Sequence, residues 1–145
     1  MTAPANALVI EKLNKILELE LAGVVRYTHY SFMVFGYSRI PIVKWLREQA
    51  QESLDHAVRA GELVTHFGGQ PSLGIGKLLQ TQSNDIGEIL RESIAHERAG
   101  LNEYKELLLI VGDSVFLDNY AREMISTEEQ HIGEVDKMLR WHGPK

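Results

Sequence analysis

Cysteine is absent from the chain, which excludes disulfides and thiolate ligands together. A metal site built by this protein has to rely on carboxylate and imidazole, donors that suit iron, manganese or zinc and not iron–sulfur clusters or structural thiolate zinc. Long apolar runs are missing as well: the longest, Leu107 to Val111, is far too short to span a bilayer. The start, Met1 to Ile10, lacks a basic stretch followed by an apolar one, so no targeting leader is expected. These absences lead to the expectation of a soluble, cytoplasmic protein with no membrane partner. The net charge is −5 with Lys and Arg interspersed, so there is no basic stripe to bind nucleic acid. Strand-like alternation is nearly absent too. At 145 residues, a single domain over 1–145 is expected, large enough to bury a core without staples.

What the chain does have is apolar residues at three and four spacings in four segments, about residues 8–35, 42–67, 85–111 and 114–141. As helix each would run roughly 40 Å, and such matched lengths predict an all-α four-helix bundle. Gly36 and Pro41 punctuate the first connection, and Gly112-Asp113-Ser114 marks the third with a capping residue. Both are short, so two antiparallel hairpins are predicted. Asp85 and Glu88 have the spacing of a capping box. The second connection, Gly68 to about Asn84, is long and glycine-rich; extended, some 15 residues reach about 50 Å, enough to return along the bundle as a long crossover. That allows helices two and three to run parallel. Leu73, Ile75, Leu78 and Leu79 would lay the crossover against the bundle.

Three of the helical patterns carry an acidic residue on the apolar side. Glu20 interrupts Leu13, Ile16, Val24, Tyr27 and Ser31; Glu97 interrupts Ile94, Leu101, Tyr104 and Leu108; Glu128 sits at the centre of the fourth stripe. A lone carboxylate taken out of water costs several kcal/mol or more, so each needs a proton, a cationic partner or a metal. His131 follows Glu128 by three residues and shares its face. An internal echo ties the hairpins together: Tyr27 stands seven residues after Glu20 and Tyr104 seven after Glu97, while His56 and His131 follow those carboxylates by 36 and 34. The tyrosines are either hydrogen-bond donors to a carboxylate or plain core aromatics. Carboxylates from two helices with Glu-x-x-His from each of the other two make a di-iron ligand set. The second helix breaks this pattern, because Ser53 stands three residues before His56. Glu52 lies one position earlier, turned about 100° from Ser53 but only about 40° from His56, so it either bends inward or faces out.

With these residues in view, the chain resembles the bacterioferritin family. The similarity is carried by Glu20 to Tyr27, His56 with Gly68-Gly69-Gln70-Pro71, Glu97-Arg98-Ala99-Gly100-Leu101 and Glu128-Glu129-Gln130-His131-Ile132, in nearly gapless register from about residue 8 to 140. The resemblance implies a ferritin-like four-helix bundle, Fe(II) oxidation by dioxygen or peroxide at a di-iron centre, and iron storage in a 24-subunit shell with haem at two-fold interfaces. It also implies Glu20 and Glu97 as terminal ligands, His56 and His131 as nitrogen ligands, and Glu128 as a bridge. Glu20, Glu97 and Glu128, with Tyr27, would serve catalysis, and Glu52 joins the metal-ligand candidates. Three departures stand out. The second bridging Glu corresponds to Ser53, which leaves one or two metals as open alternatives. The axial haem methionine corresponds to Leu54, which has no lone pair for iron, so haem is not expected through it. The chain ends at Lys145, with no counterpart of the family's fifth helix, which leaves cage versus dimer open; a homo-oligomer is expected, a dimer at least, with the 24-subunit shell as the larger alternative. The competing function is a non-enzymatic helical dimer or shell whose reduced site holds one metal. His29, with Tyr30 and Met33, is read as either a dimer face or a solvated patch, and His96 and His66 as surface residues.

Overall fold

The computed structural model describes residues 3–78 and 81–140, which form four helices: α1 (Ala3–Phe32), α2 (Arg39–His66), α3 (Ile86–Leu108) and α4 (Val115–Leu139). The four expected segments are all present, but their ends differ. α1 stops three residues short of the periodic pattern, because the chain turns through Gly36 at φ +96° and Arg39 donates to the Val34 carbonyl at 2.7 Å. Pro41, expected in the connection, lies instead in the first turn of α2. Its missing N–H needs no acceptor there, and its fixed φ suits the helix. α3 begins as predicted: Asp85 caps it by accepting from the Glu88 N–H at 2.9 Å. The box is only half made, since the Glu88 carboxylate takes the Ser83 hydroxyl and does not reach back to Asp85. Ser114 caps α4 through the Leu117 N–H. No helix among the described residues is long and apolar enough to cross a membrane.

Side-chain partners fix the directions. Along α1 and α2, His56 meets Glu20 and Arg47 meets Ser31, an antiparallel pairing. Lys12 meets Glu103 and Glu106 while Tyr30 meets Glu92, so α3 is antiparallel to α1. Lys105 meets Glu129 and Glu97 meets His131, so α4 is antiparallel to α3. α2 and α3 therefore run parallel, as the long second connection requires. That crossover docks by polar contacts and not by the apolar side chains expected to do so. Ser72 N–H donates to Asn14, the Ser72 hydroxyl to Glu18, the Gly76 N–H to the Glu18 carbonyl, and Arg26 to the Lys77 carbonyl. Leu73, Ile75 and Leu78 stay exposed, and Leu79 lies outside the described residues. Gly76 allows this close approach, because a Cβ there would stand 2.9 Å from the Glu18 carbonyl oxygen.

The core has two ends. One is built from Val9, Leu13, Ile16, Leu63, Leu107, Leu117 and Met124, and the other from Tyr27, Tyr30, Val43, Leu46 and Ile89 with Leu90, Ile94 and Val135 beside them. On every helix the switch between the two ends falls at a polar position: Glu20, Ser53 to His56, Glu97 and Glu128. A polar layer thus crosses the middle of the bundle.

Candidate metal centre

Each helix gives this layer one turn. Glu20 (α1) and Glu97 (α3) are each 6% exposed and Glu128 (α4) 2%, values that leave none of them a full hydration shell. The His56 Nδ1 lies 2.7 Å from Glu20 Oε2 and 3.5 Å from Glu128 Oε1. The His131 Nδ1 lies 3.9 Å from Glu97 Oε2. Two trios result, Glu20–His56–Glu128 and Glu97–Glu128–His131, each with one donor atom per residue within 4.8 Å of the others. Glu128 belongs to both. The Glu20–His56 contact is close but lacks hydrogen-bond alignment, and Glu20 Oε2, Glu128 Oε2 and His131 Nε2 are buried without a hydrogen-bond partner. Orphaned buried acceptors are expensive, and a cation among them would satisfy several at once. Oxygen and imidazole donors suit iron or zinc.

The same crowding sets the protonation. Burial pushes Glu128 far above the usual carboxylate range, and the adjoining Glu97 and Glu20 carboxylates push it further. Burial acts in the same sense on Glu97 but is outweighed by the adjoining Glu128 carboxyl and His131 imidazole and by the Tyr27 hydrogen bond, which hold Glu97 below that range. One proton therefore sits on Glu128 and faces an ionised Glu97. Burial likewise raises Glu20, against the opposing pull of His56. Burial lowers the two imidazoles, yet Glu20 beside His56 and Glu97 beside His131 prevail and raise both. Protons thus take the place that cations would fill, and metal binding would release them.

The other predicted residues fall as follows. Tyr27 donates to Glu97 Oε1 at 2.5 Å, across the bundle and not to the carboxylate of its own helix. Tyr104, its counterpart, makes no such bond. Its ring stands edge-on to Tyr120 at 6.1 Å, the Tyr120 ring in turn lies beneath Arg59, and both hydroxyls lack a hydrogen-bond partner, so the core-aromatic alternative holds there. Glu52 enters neither trio. Its carboxylate lies 3.7 Å from the His56 Nε2, the nitrogen opposite the one facing Glu20 and Glu128. Leu54 lies on the outer side of α2, exposed with Val58. Tyr30 is not part of an outer face; it is buried and donates to Glu92 at 3.0 Å.

Ser53 is buried against α1. A Cβ on Gly23 would stand 2.8 Å from the Ser53 Oγ and 3.3 Å from the His96 Nε2, so a glycine three residues after Glu20 is what lets both side chains in. His96, expected at the surface, is mostly buried, and burial lowers its pKa. Periodicity carries no signal for either role, because it does not say how closely two helices approach. Trp45 was missed too. Its ring packs edge-on to Tyr27 at 6.4 Å and tilted against His131 at 6.4 Å, behind the second trio. The available signal was its place eight residues before Ser53, matching Tyr120 eight before Glu128.

The model of the ferritin-like domain matches residues 10–141. Bacterioferritin from Brucella melitensis is 32% identical over 136 residues, which span 90% of this chain and 82% of that protein. A ferritin-like diiron-carboxylate protein from Bacillus anthracis superposes with a TM-score of 0.89 at 22% identity, covering 97% of this chain and all of the other. A Rhodobacter capsulatus bacterioferritin with haem iron and a metal-free dinuclear site superposes at 0.79 with 24% identity, covering 92% and 84% of the two chains.

Proposed function

Since the chain belongs to the ferritin-like family, we propose that it stores iron in the bacterioferritin manner, oxidising Fe(II) to Fe(III) at the layer formed by Glu20, His56, Glu97, Glu128 and His131. The observation that carries this reading is the sharing of Glu128 by two ligand trios, which is the arrangement a pair of bridged ions needs. Fe(II) is the substrate, with dioxygen or peroxide as electron acceptor. The carboxylates favour the more highly charged product, and the imidazoles fix the geometry in which it forms. Tyr27 holds Glu97 ionised and oriented for its ion. Membership of the family also favours a homo-oligomer in the cytoplasm, and exposed Val25, Leu54, Val58, Leu73 and Ile75 offer apolar surface to a second copy.

One observation favours a second reading. Ser53 leaves the layer with three carboxylates, a charge of −3 when ionised, against +4 for two divalent ions. A single bound metal without turnover is the outcome if that deficit prevails. Anaerobic Fe(II) titration followed by admission of air separates the readings, run on wild type and Glu128→Ala. Two equivalents bound and then oxidised in wild type, both lost in the variant, support the ferroxidase. One equivalent that stays Fe(II) supports the second reading, and equal behaviour of the two proteins refutes the site.

A further inference from the structure

The two imidazoles of the layer are supported from behind by different means, and this assigns a role to Glu52. His56 presents Nδ1 to Glu20 and Glu128 and turns Nε2 the other way, toward Glu52 Oε1 at 3.7 Å. His131 presents Nδ1 to Glu97, while its Nε2 is buried with no acceptor and its ring rests against Trp45. We infer that Glu52 is a positioning residue: it accepts the outer N–H of His56 and so fixes the tautomer that leaves Nδ1 free for a metal. This inference rests on the proposed site and goes beyond it by removing Glu52 from the ligands.

Three observations support the assignment. Glu52 and His56 are one helical turn apart on α2, so their approach is built into the helix and needs no rearrangement. A hydrogen bond of about 2.9 Å requires the carboxylate to move in by less than about 1 Å, and the Glu52 side chain, 39% exposed, has the freedom to do so. Glu52 contributes to neither ligand trio, and the Ser53 side chain packs against Gly23 with His96 beside it. An imidazole that ligates through one nitrogen generally donates its other N–H to a carboxylate, carbonyl or water, and losing that partner typically weakens metal binding by about 10- to 100-fold. Glu48, on the next turn of the same helix and paired only loosely with Lys44, supplies a carboxylate of like charge that makes no such contact.

The test is Co(II) titration of the full chain, reading affinity together with the visible d–d spectrum, in wild type, Glu52→Leu, Glu52→Gln and Glu48→Leu. The expected result is a 10- to 100-fold loss of affinity in Glu52→Leu with the bound spectrum unchanged, a smaller loss in Glu52→Gln, whose amide oxygen still accepts, and none in Glu48→Leu. A changed spectrum in Glu52→Leu would make Glu52 a ligand and overturn the inference. So would unchanged affinity, or equal losses in Glu52→Leu and Glu48→Leu, which would reduce its effect to charge alone. A wild-type protein that binds no Co(II), Zn(II) or Fe(II) would instead refute the site itself, so the two failures are distinct.

Discussion

The two halves of the polar layer descend from the same pattern yet are finished differently. On the Glu97 side, Tyr27 crosses the bundle to donate to the carboxylate at 2.5 Å, and Trp45 backs both that tyrosine and His131. On the Glu20 side, the carboxylate leans on His56 at 2.7 Å, and the matching tyrosine, Tyr104, pairs edge-on with Tyr120 and leaves its hydroxyl without a partner. Each half treats its buried acid differently: a phenol donates a hydrogen bond in one, and in the other an imidazole stands close without an aligned bond. The lesson is that an internal repeat fixes where charges sit but not which neighbour neutralises them. That choice is made by the residues that break the repeat, here Ser53, Glu52 and Trp45.

The sharpest way to break the comparison is to remove what the halves share. Glu128→Ala is expected to abolish binding of both ions, whereas Glu20→Ala should cost one ion and leave Glu97, Glu128 and His131 to hold the other. Stoichiometry from Zn(II) calorimetry reads this directly. Equal loss in both variants would mean that the halves are one indivisible site.

Restoring the repeat is the next largest perturbation. Ser53→Glu adds a fourth carboxylate and brings the ligand charge to −4, so the second ion should bind more tightly than in wild type. Without metal, the same change buries another acid beside Gly23 and His96 and should lower the melting temperature. Thermal melts with and without Zn(II) check both signs. A variant destabilised in both conditions would show that the α1–α2 approach at Gly23 has closed the bridging place.

Much of this was legible in the sequence, and what was not has a physical reason. Helix number and the placement of Glu20, Glu97 and Glu128 in the interior follow from periodicity, because burial against a bundle core imposes a 3.6-residue pattern, while the hairpins and the parallel α2 and α3 follow from the lengths of the connections. The ends were less legible. Pro41 signals a break by composition but is tolerated in a first turn, and the crossover carries apolar residues that remain exposed while Asn14, Glu18 and Arg26 do the docking. The donor to each carboxylate was least legible, because a helical wheel gives the face a residue shares and not which residue of another helix it meets. Tyr27 shares a face with Glu20 and bonds Glu97.

Titration sharpens the contrast without mutation. Glu128 and Glu20 are raised above the ordinary 4.5, and His56 and His131 above 6.5, so the folded protein holds more protons than the unfolded chain as pH rises through those values. Unfolding free energy then falls with rising pH: the histidine contribution is complete below pH 6.5 and is lost above it. Glu97, held low, contributes above 4.5 and loses that contribution as pH falls toward its folded value. Metal-free protein is therefore expected to melt higher near pH 5 to 6 than at pH 9. The stabilisation conferred by Zn(II) should grow over the same interval, as the ion has fewer protons to displace. A metal-free melting temperature that rises from pH 6 to 9 would contradict the proton held on Glu128.

The smallest expected effects come from the two tyrosines, and they test the asymmetry most directly because the residues occupy equivalent places in the repeat. Tyr27→Phe removes the hydroxyl that donates to a buried, ionised Glu97; a hydrogen bond to a charged group is worth about 1.5–3 kcal/mol, and truncation leaves the acceptor unpaired. Tyr104→Phe removes a buried hydroxyl that has no hydrogen-bond partner, so it should change stability by less than about 0.5 kcal/mol, or even raise it as a desolvated polar group disappears. The ring packing against Tyr120 is kept in that variant, as is the Tyr27 contact with Trp45 in the other, so core volume does not confuse the comparison. Urea unfolding of the metal-free proteins, with the slope checked for constancy, gives both differences on one scale. Equal losses would mean that Tyr104 serves Glu20 as Tyr27 serves Glu97, and the layer would then be symmetric in solution. A large loss for Tyr27 alone places the directional bond in the half that Trp45 covers and leaves Glu20 dependent on His56.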